Sequence, residues 1–277
     1  MFGGADPAIS GLVPSDIEIR RNHLAKPLSW RRTGAGTASG AWSVKNLLEL
    51  KNARRVLIEG NLIERNWAGG QNGFAILFTV RNQDGSAPWS VIEDVLFANN
   101  IVADAGGGIN ILGKDDAAAS GQARRIAIRN NLFRGIDGSA WGGPGTLFQT
   151  LAGTADLTIE QNTSSHTGAT IMAEGDPHAG FVYRSNLMPR GSRGIVGTGT
   201  APETPTLHVY FPGALVQDNA TFPGGLPDLL TASSGKASGK AHGKTRAGAD
   251  LTAICAAMAA ADRPRDLCLR PAQPSPL

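Results

Sequence analysis

No stretch of this 277-residue chain approaches the roughly 18 consecutive apolar residues of a membrane-spanning helix, so no span is expected. Nor does one sign of charge dominate. The 26 lysines and arginines are scattered among 23 acidic residues, for a net charge of +3, and a nucleic-acid face would need them gathered into a stripe. Cysteine is scarce too, with only Cys255 and Cys268, and one pair without histidine or further cysteine is not a zinc site. In an exported protein that pair could close a disulfide; in the cytoplasm it would be two free thiols. No charged n-region and apolar h-region precede the first repeat, so no signal peptide is visible after Met1. Aromatic residues make up only 6%, whereas glycine reaches 36 and proline 16 residues, which suits many tight turns around a narrow aliphatic core. The chain is long enough to bury that core as one domain.

What is abundant is a repeat. An apolar residue, a spacer, a second apolar residue, two spacers and an asparagine recur seven times, ending at Asn22, Asn61, Asn100, Asn131, Asn162, Asn186 and Asn219. The intervals of 39, 39, 31, 31, 24 and 33 residues are the length of a supersecondary unit, not of a strand. Alternation such as Ile17/Ile19, Val56/Ile58 and Ile126/Ile128 puts two side chains per copy on one face of a half-buried strand. The asparagine stands where the chain must turn. There it tolerates left-handed geometry, and its amide can bond to the asparagines one coil above and below, so the column is expected to be structural. A second apolar stretch follows each copy, among them LLELK at 47–51, FAILFTV at 74–80 and GINIL at 108–112. The pattern predicts an all-β parallel solenoid of about six to seven coils, right-handed as parallel crossovers are. A sandwich or barrel would show antiparallel hairpin signals every 8–12 residues and no aligned asparagines.

The stretches LVPSDIEIRRNH, VKNLLELKNARRVLIEGN, GFAILFTVRNQDG and GINILG, at 12–23, 44–61, 73–85 and 108–113, carry a resemblance. The chain resembles right-handed parallel β-helix proteins of the pectate-lyase-like superfamily, and more closely a bacterial group of largely uncharacterised β-helix-repeat proteins. The resemblance runs from about residue 3 to about residue 220. It implies a polysaccharide as partner and an extracellular or periplasmic location. The NTD, DD, GHG and RIK series of the polygalacturonases is absent from the sequence, and so is a column of aspartates like the calcium site of pectate lyases. No cofactor is therefore expected, and calcium has no clear acidic column to support it.

The β-helix is expected over 1–230, with an N-terminal cap and export signal lying upstream of a truncated start. A Ser/Gly/Lys-rich linker follows over 231–249, then a short helix and tail over 250–277 with Asp250 as N-cap. A monomer is expected.

A solenoid works through a groove along one sheet, bordered by the longer loops. Alternation that buries Leu48 and Leu50 turns Glu49 and Lys51 outward, and later coils offer Arg81, Asn82, Asp84, Asn110 and Gln149 near the same strand. Lys51 and Arg81 are the candidate catalytic pair. β-Elimination from a uronic-acid polymer removes a proton α to a carboxylate, which needs a base and a cation for the developing enediolate. Glu49, Asn82, Asp84, Asn110 and Gln149 are candidate substrate contacts, with Trp67 and Trp89 as loop aromatics that could stack on sugars. The competing readings are plain. Lys51 pairs with Glu49 or with the neighbouring coil, Arg81 pairs with Asp84, each tryptophan covers a small satellite core, and the solenoid is a structural or adhesive protein without catalysis. A glycoside hydrolase would instead need two carboxyl groups about 5–10 Å apart across a sugar, for which Glu49 with Asp84 or Asp115 with Asp116 are the candidate pairs. Asp115 and Asp116 are expected in a solvated loop, and Gly175 and Pro177 make the Glu174, Asp176 and His178 segment a turn, against a metal site.

Overall fold

The computed structural model describes residues 1–31, 42–189, 193–222 and 247–259, which build a right-handed parallel β-helix. Each apolar alternation becomes a strand and each cluster of glycine and polar residues a corner. The first coil is β1 (Ser15–Arg20), β2 (His23–Ala25) and β3 (Leu48–Leu50). The second is β4 (Ala53–Glu59), β5 (Leu62–Asn66) and β6 (Phe74–Thr79). The third is β7 (Ile92–Ala98), β8 (Ile101–Ala105) and β9 (Gly107–Leu112). The fourth is β10 (Arg124–Arg129), β11 (Leu132–Ile136), the one-turn α1 (Gly138–Trp141) and β12 (Phe148–Leu151). The fifth is β13 (Ala155–Glu160), β14 (Thr163–His166) and β15 (Ile171–Glu174), and the sixth is β16 (Val182–Arg184), β17 (Leu187–Pro189) and β18 (Ile195–Gly197). After α2 (Thr204–Tyr210), β19 (Leu215–Gln217) and β20 (Ala220–Phe222) open a seventh. Like stacks on like. Three parallel sheets result: β1-β4-β7-β10-β13-β16-β19, β2-β5-β8-β11-β14-β17-β20 and β3-β6-β9-β12-β15-β18.

Register holds each inward column in line from coil to coil. Ile19, Ile58, Phe97, Ile128, Ile159 and Tyr183 are successive partners in the first sheet. The middle four are completely buried, each contributing roughly 1.5–3 kcal/mol of transfer free energy. Phe78 from the third sheet meets Phe97 edge-on at 6.2 Å, so the sheets share one core.

The corner between the first and second sheets always has two residues. The first has positive φ: Arg21 56°, Gly60 66°, Asn99 58°, Asn130 52°, Gln161 55°, Ser185 54° and Asp218 55°. The second is the repeat asparagine. The expectation that the asparagine itself takes left-handed geometry is corrected, because the residue before it does so and the asparagine acts through its amide. From Asn22 to Asn186, each donates its N–H and its Nδ2 to the Oδ1 of the next asparagine, at 2.9–3.1 Å. The Nδ2 of Asn61, Asn100, Asn131, Asn162 and Asn186 also donates to a carbonyl of the coil below. Left-handed backbone costs about 1 kcal/mol or more at each non-glycine corner, and this doubly bonded ladder offsets it. The other two corners vary widely, from the single Gly106 through the loops 80–91 and 113–123 to the stretch 198–214 that carries α2.

Leu251–Ala259 forms α3, with Asp250 Oδ1 accepting from the N–H groups of Thr252 and Ala253. Ile254, Leu251, Cys255 and Met258 pack on the outer face of the second sheet against Leu62, Ile101, Leu132 and Leu187. Cys255 is disulfide-bonded; Cys268, the expected linker up to residue 246 and the tail after 259 lie outside the described residues.

Candidate functional site

The outer face of the third sheet carries the candidate residues. Alternation in β3 sends Leu48 and Leu50 into the core and Glu49 outward, and register then lines up Glu49, Leu77, Asn110, Gln149 and Met172. Amides and a carboxylate link into a run along the upper part of this face. Asn110 Nδ2 donates to Gln149 Oε1 at 2.8 Å, and Gln149 Nε2 donates to Glu174 Oε1 at 3.1 Å. Asn110 Oδ1 is screened from solvent yet accepts no hydrogen bond. A cavity of about 260 Å³ lies beside it. Phe74, Leu77, Leu112 and Leu151 give it apolar surface, and Glu49, Lys51, Gln71, Asn72, Thr79, Arg81, Asn110 and Asp116 give it polar groups.

Lys51 and Arg81 come together here, since the Arg81 N–H donates to the Lys51 carbonyl at 3.0 Å and both side chains line the cavity. Their ionic partners differ. Lys51 Nζ donates to Gln83 Oε1 at 3.1 Å and lies 4.0 Å from Glu49, whereas Arg81 Nη1 pairs with Asp115 at 2.9 Å and with Asp116. Burial works against the Arg81 charge, but the hydrogen bonds to Asp116 and Asp115 outweigh it and hold the guanidinium above its ordinary pKa.

The loop 113–123 is only half the solvated loop that was expected. Asp116 is exposed, but the Asp115 side chain is 2% exposed. Asp115 accepts from the N–H groups of Asn82 at 2.6 Å and Ala117 at 3.0 Å as well as from Arg81. Burial would raise its pKa, yet these donors outweigh burial and hold the carboxyl below the usual range. Asn82 lies in the same fastening rather than in the cavity wall. It is buried, its Nδ2 donates to Ala119 O at 2.7 Å, and its Oδ1 accepts from the Ala87 N–H at 2.8 Å. Asp84 is exposed on the loop 80–91, where its N–H donates to Asp6 Oδ2, and it pairs with neither Arg81 nor the cavity.

Neither Trp67 nor Trp89 lines the cavity. Trp67 is buried with Val44 and Trp141 in a satellite core, and Trp89 Nε1 donates to Leu12 O at 3.2 Å. The exposed tryptophans are Trp30 and Trp42, with ring centroids 5.9 Å apart.

Sequence reasoning passed over Lys26. Its Nζ donates to Asn46 O at 3.1 Å and to Asn66 Oδ1, and burial pulls its pKa down to about 8. Asn46 Nδ2 in turn donates to Gln71 Oε1 and Glu49 Oε2, which joins Lys26 to the cavity wall. No spacing marks a lone lysine before Pro27 as part of such a chain. His178 is fully buried and stacked on Phe211 at 5.0 Å, with Nδ1 accepting from the Thr154 N–H. Among the described residues no three His, Cys, Asp or Glu side chains gather to hold a metal, and no helix is long and apolar enough to cross a membrane. Compared with known proteins, the chain matches no family model, no curated protein and no solved structure.

Proposed function

We propose that the protein binds a polysaccharide, with uronic-acid polymers the favoured class, along the outer face of its third sheet. The observation that supports this reading is the 260 Å³ cavity, in which apolar surface from Phe74, Leu77, Leu112 and Leu151 faces amides and the Lys51 ammonium. Sugar rings present just these two kinds of surface, apolar C–H faces and hydroxyl or carboxylate edges, and sites of this kind fix orientation with few polar groups. Asn110 Oδ1 is an acceptor in want of a hydroxyl donor, and Lys51 is the cation placed for a carboxylate. An extracellular or periplasmic location belongs to this reading.

The ion pairing of Arg81 with two carboxylates favours binding over elimination, because a guanidinium already neutralised has less to give an enediolate. Titration calorimetry with uronate and neutral oligosaccharides tests the proposal, alongside an ultraviolet assay for unsaturated uronates. Binding of uronates that is weakened about tenfold or more by Lys51→Ala and by Asn110→Ala is expected. No binding to either class removes the glycan reading and leaves a structural or adhesive solenoid. Release of unsaturated uronates would restore Lys51 and Arg81 as a catalytic pair.

A further inference from the structure

The two ends of the stack hold complementary halves of contacts that every inner coil makes. Asn22, in the first coil, donates to Asn61, but its own Oδ1 accepts nothing among the described residues. Asn219, in the seventh, accepts from Asn186 and donates Nδ2 to Tyr183 O, but its N–H donates to nothing there. In each inner coil that N–H reaches the next Oδ1. One position earlier in the corner column stand Arg21 at one end and Asp218 at the other. They are opposite in charge, and neither has an ion pair among the described residues. In the inward column Ile19 is half-buried and Val216 is 41% exposed, whereas their counterparts Ile58, Phe97, Ile128 and Ile159 are sealed. Among the described residues, every exposed large apolar side chain precedes β3 or follows β18 in the sequence.

We infer that the protein associates head to tail with a second copy of itself. β19 and β20 of one copy pair in parallel with β1 and β2 of the next. The register that brings Asn219 to Asn22 also sets Asp218 beside Arg21, Gln217 beside Arg20 and Val216 over Ile19. A slip of one residue would break all four and turn Val216 outward, so a single register satisfies the hydrogen bond, the charges and the core together. The contact joins two different surfaces and does not close on itself, so it propagates into a filament. At about 4.8 Å per coil, seven coils give an axial repeat of about 34 Å. Such an assembly departs from the monomer expected from the sequence.

Sedimentation velocity on the full chain over a wide concentration range, with electron microscopy of the concentrated samples, tests this. Concentration-dependent growth and filaments repeating at about 34 Å are expected. Arg21→Glu and Asp218→Arg each place like charges at the junction and should weaken association about tenfold or more, while the double variant carrying both restores it. Circular dichroism of each variant checks that the β-helix is intact. Wild-type protein that stays monomeric at every concentration overturns the inference and means that the chain covers its own end. Assembly that both single variants leave unchanged, or that the double variant fails to restore, overturns it as well.

Discussion

Asn131 Oδ1 accepts two hydrogen bonds from Asn100, one from its backbone N–H at 2.9 Å and one from its Nδ2 at 3.1 Å. Asn131 passes the same pair on to Asn162 and donates Nδ2 to the carbonyls of Phe97 and Arg129. Asn131→Ala therefore leaves the buried Asn100 N–H without its acceptor, removes the side-chain donor from the Phe97 and Arg129 carbonyls, and should destabilise the fold by about 3 kcal/mol. Asn22→Ala, at the exposed end, should cost about 1 kcal/mol or less. Urea denaturation of the two variants measures both.

Acid should unfold the protein through its histidines. Burial lowers His166 and His178 from 6.5 to about 4, so between these values the unfolded chain binds protons that the fold refuses. Stability from both is complete above pH 6.5 and is lost as pH falls towards 4. Asp104 acts in the opposite sense. Burial raises it from 3.8 to about 6, so the fold takes up its proton first and loses stability as pH rises through that window. Two histidines outweigh one aspartate, and melting temperatures should fall from pH 6.5 to pH 4. Asp104→Asn should raise the melting temperature at pH 7 and leave it nearly unchanged at pH 4.

Asp115 and Asp116 both touch Arg81, but only Asp115 has a buried side chain and accepts backbone N–H groups. Asp115→Ala should cost about 1–3 kcal/mol and loosen the loop 113–123, and Asp116→Ala should stay within about 0.5 kcal/mol. Thermal denaturation and hydrogen exchange in that loop distinguish them.

Gly60 is the only glycine in the positive-φ corner column, although arginine, asparagine, glutamine, serine and aspartate occupy the equivalent places. Backbone conformation alone does not demand it. A Cβ there would come within 2.7 Å of the Ala257 carbonyl in α3, so Gly60→Asn should unseat the helix while keeping the coils. Faster proteolysis around α3, with strand content by circular dichroism unchanged, is the expected result.

The architecture was legible because two periodicities, alternation within a strand and asparagine between coils, each correspond to one physical requirement, a sealed core face and a bonded corner. Glu49, Lys51, Arg81 and Asn110 could be placed on one face because they follow directly from apolar alternation at Leu48/Leu50, FAILFTV and GINIL. Pairings across loops were not legible. Asp115 reaches Arg81 over 34 residues, and Lys26 reaches Asn66 over 40, through corners whose lengths follow no period. Trp67 and Trp89 show the same limit, since loop aromatics look alike in sequence whether they turn to a ligand or to Val44 and Trp141. The seat of α3 on the second sheet was hidden because His23, Leu62, Ile101 and Leu132 alternate as any strand face would, with nothing local to say what covers the outside.

The invariant two-residue corner divides the chain into interchangeable floors. One extra residue after Gly60 would shift the second-sheet strands against their neighbours and turn an entire face inside out. A whole inserted peptide within 80–91 or 113–123 would leave the strand register unchanged, because those lengths differ from coil to coil. A copying error that begins and ends at two equivalent asparagines, such as the 31 residues from Asn100 to Asn131, adds or removes one complete floor with its ladder bonds already matched. The chain's length is therefore free to change by inheritance in whole coils, while its cross-section stays constant.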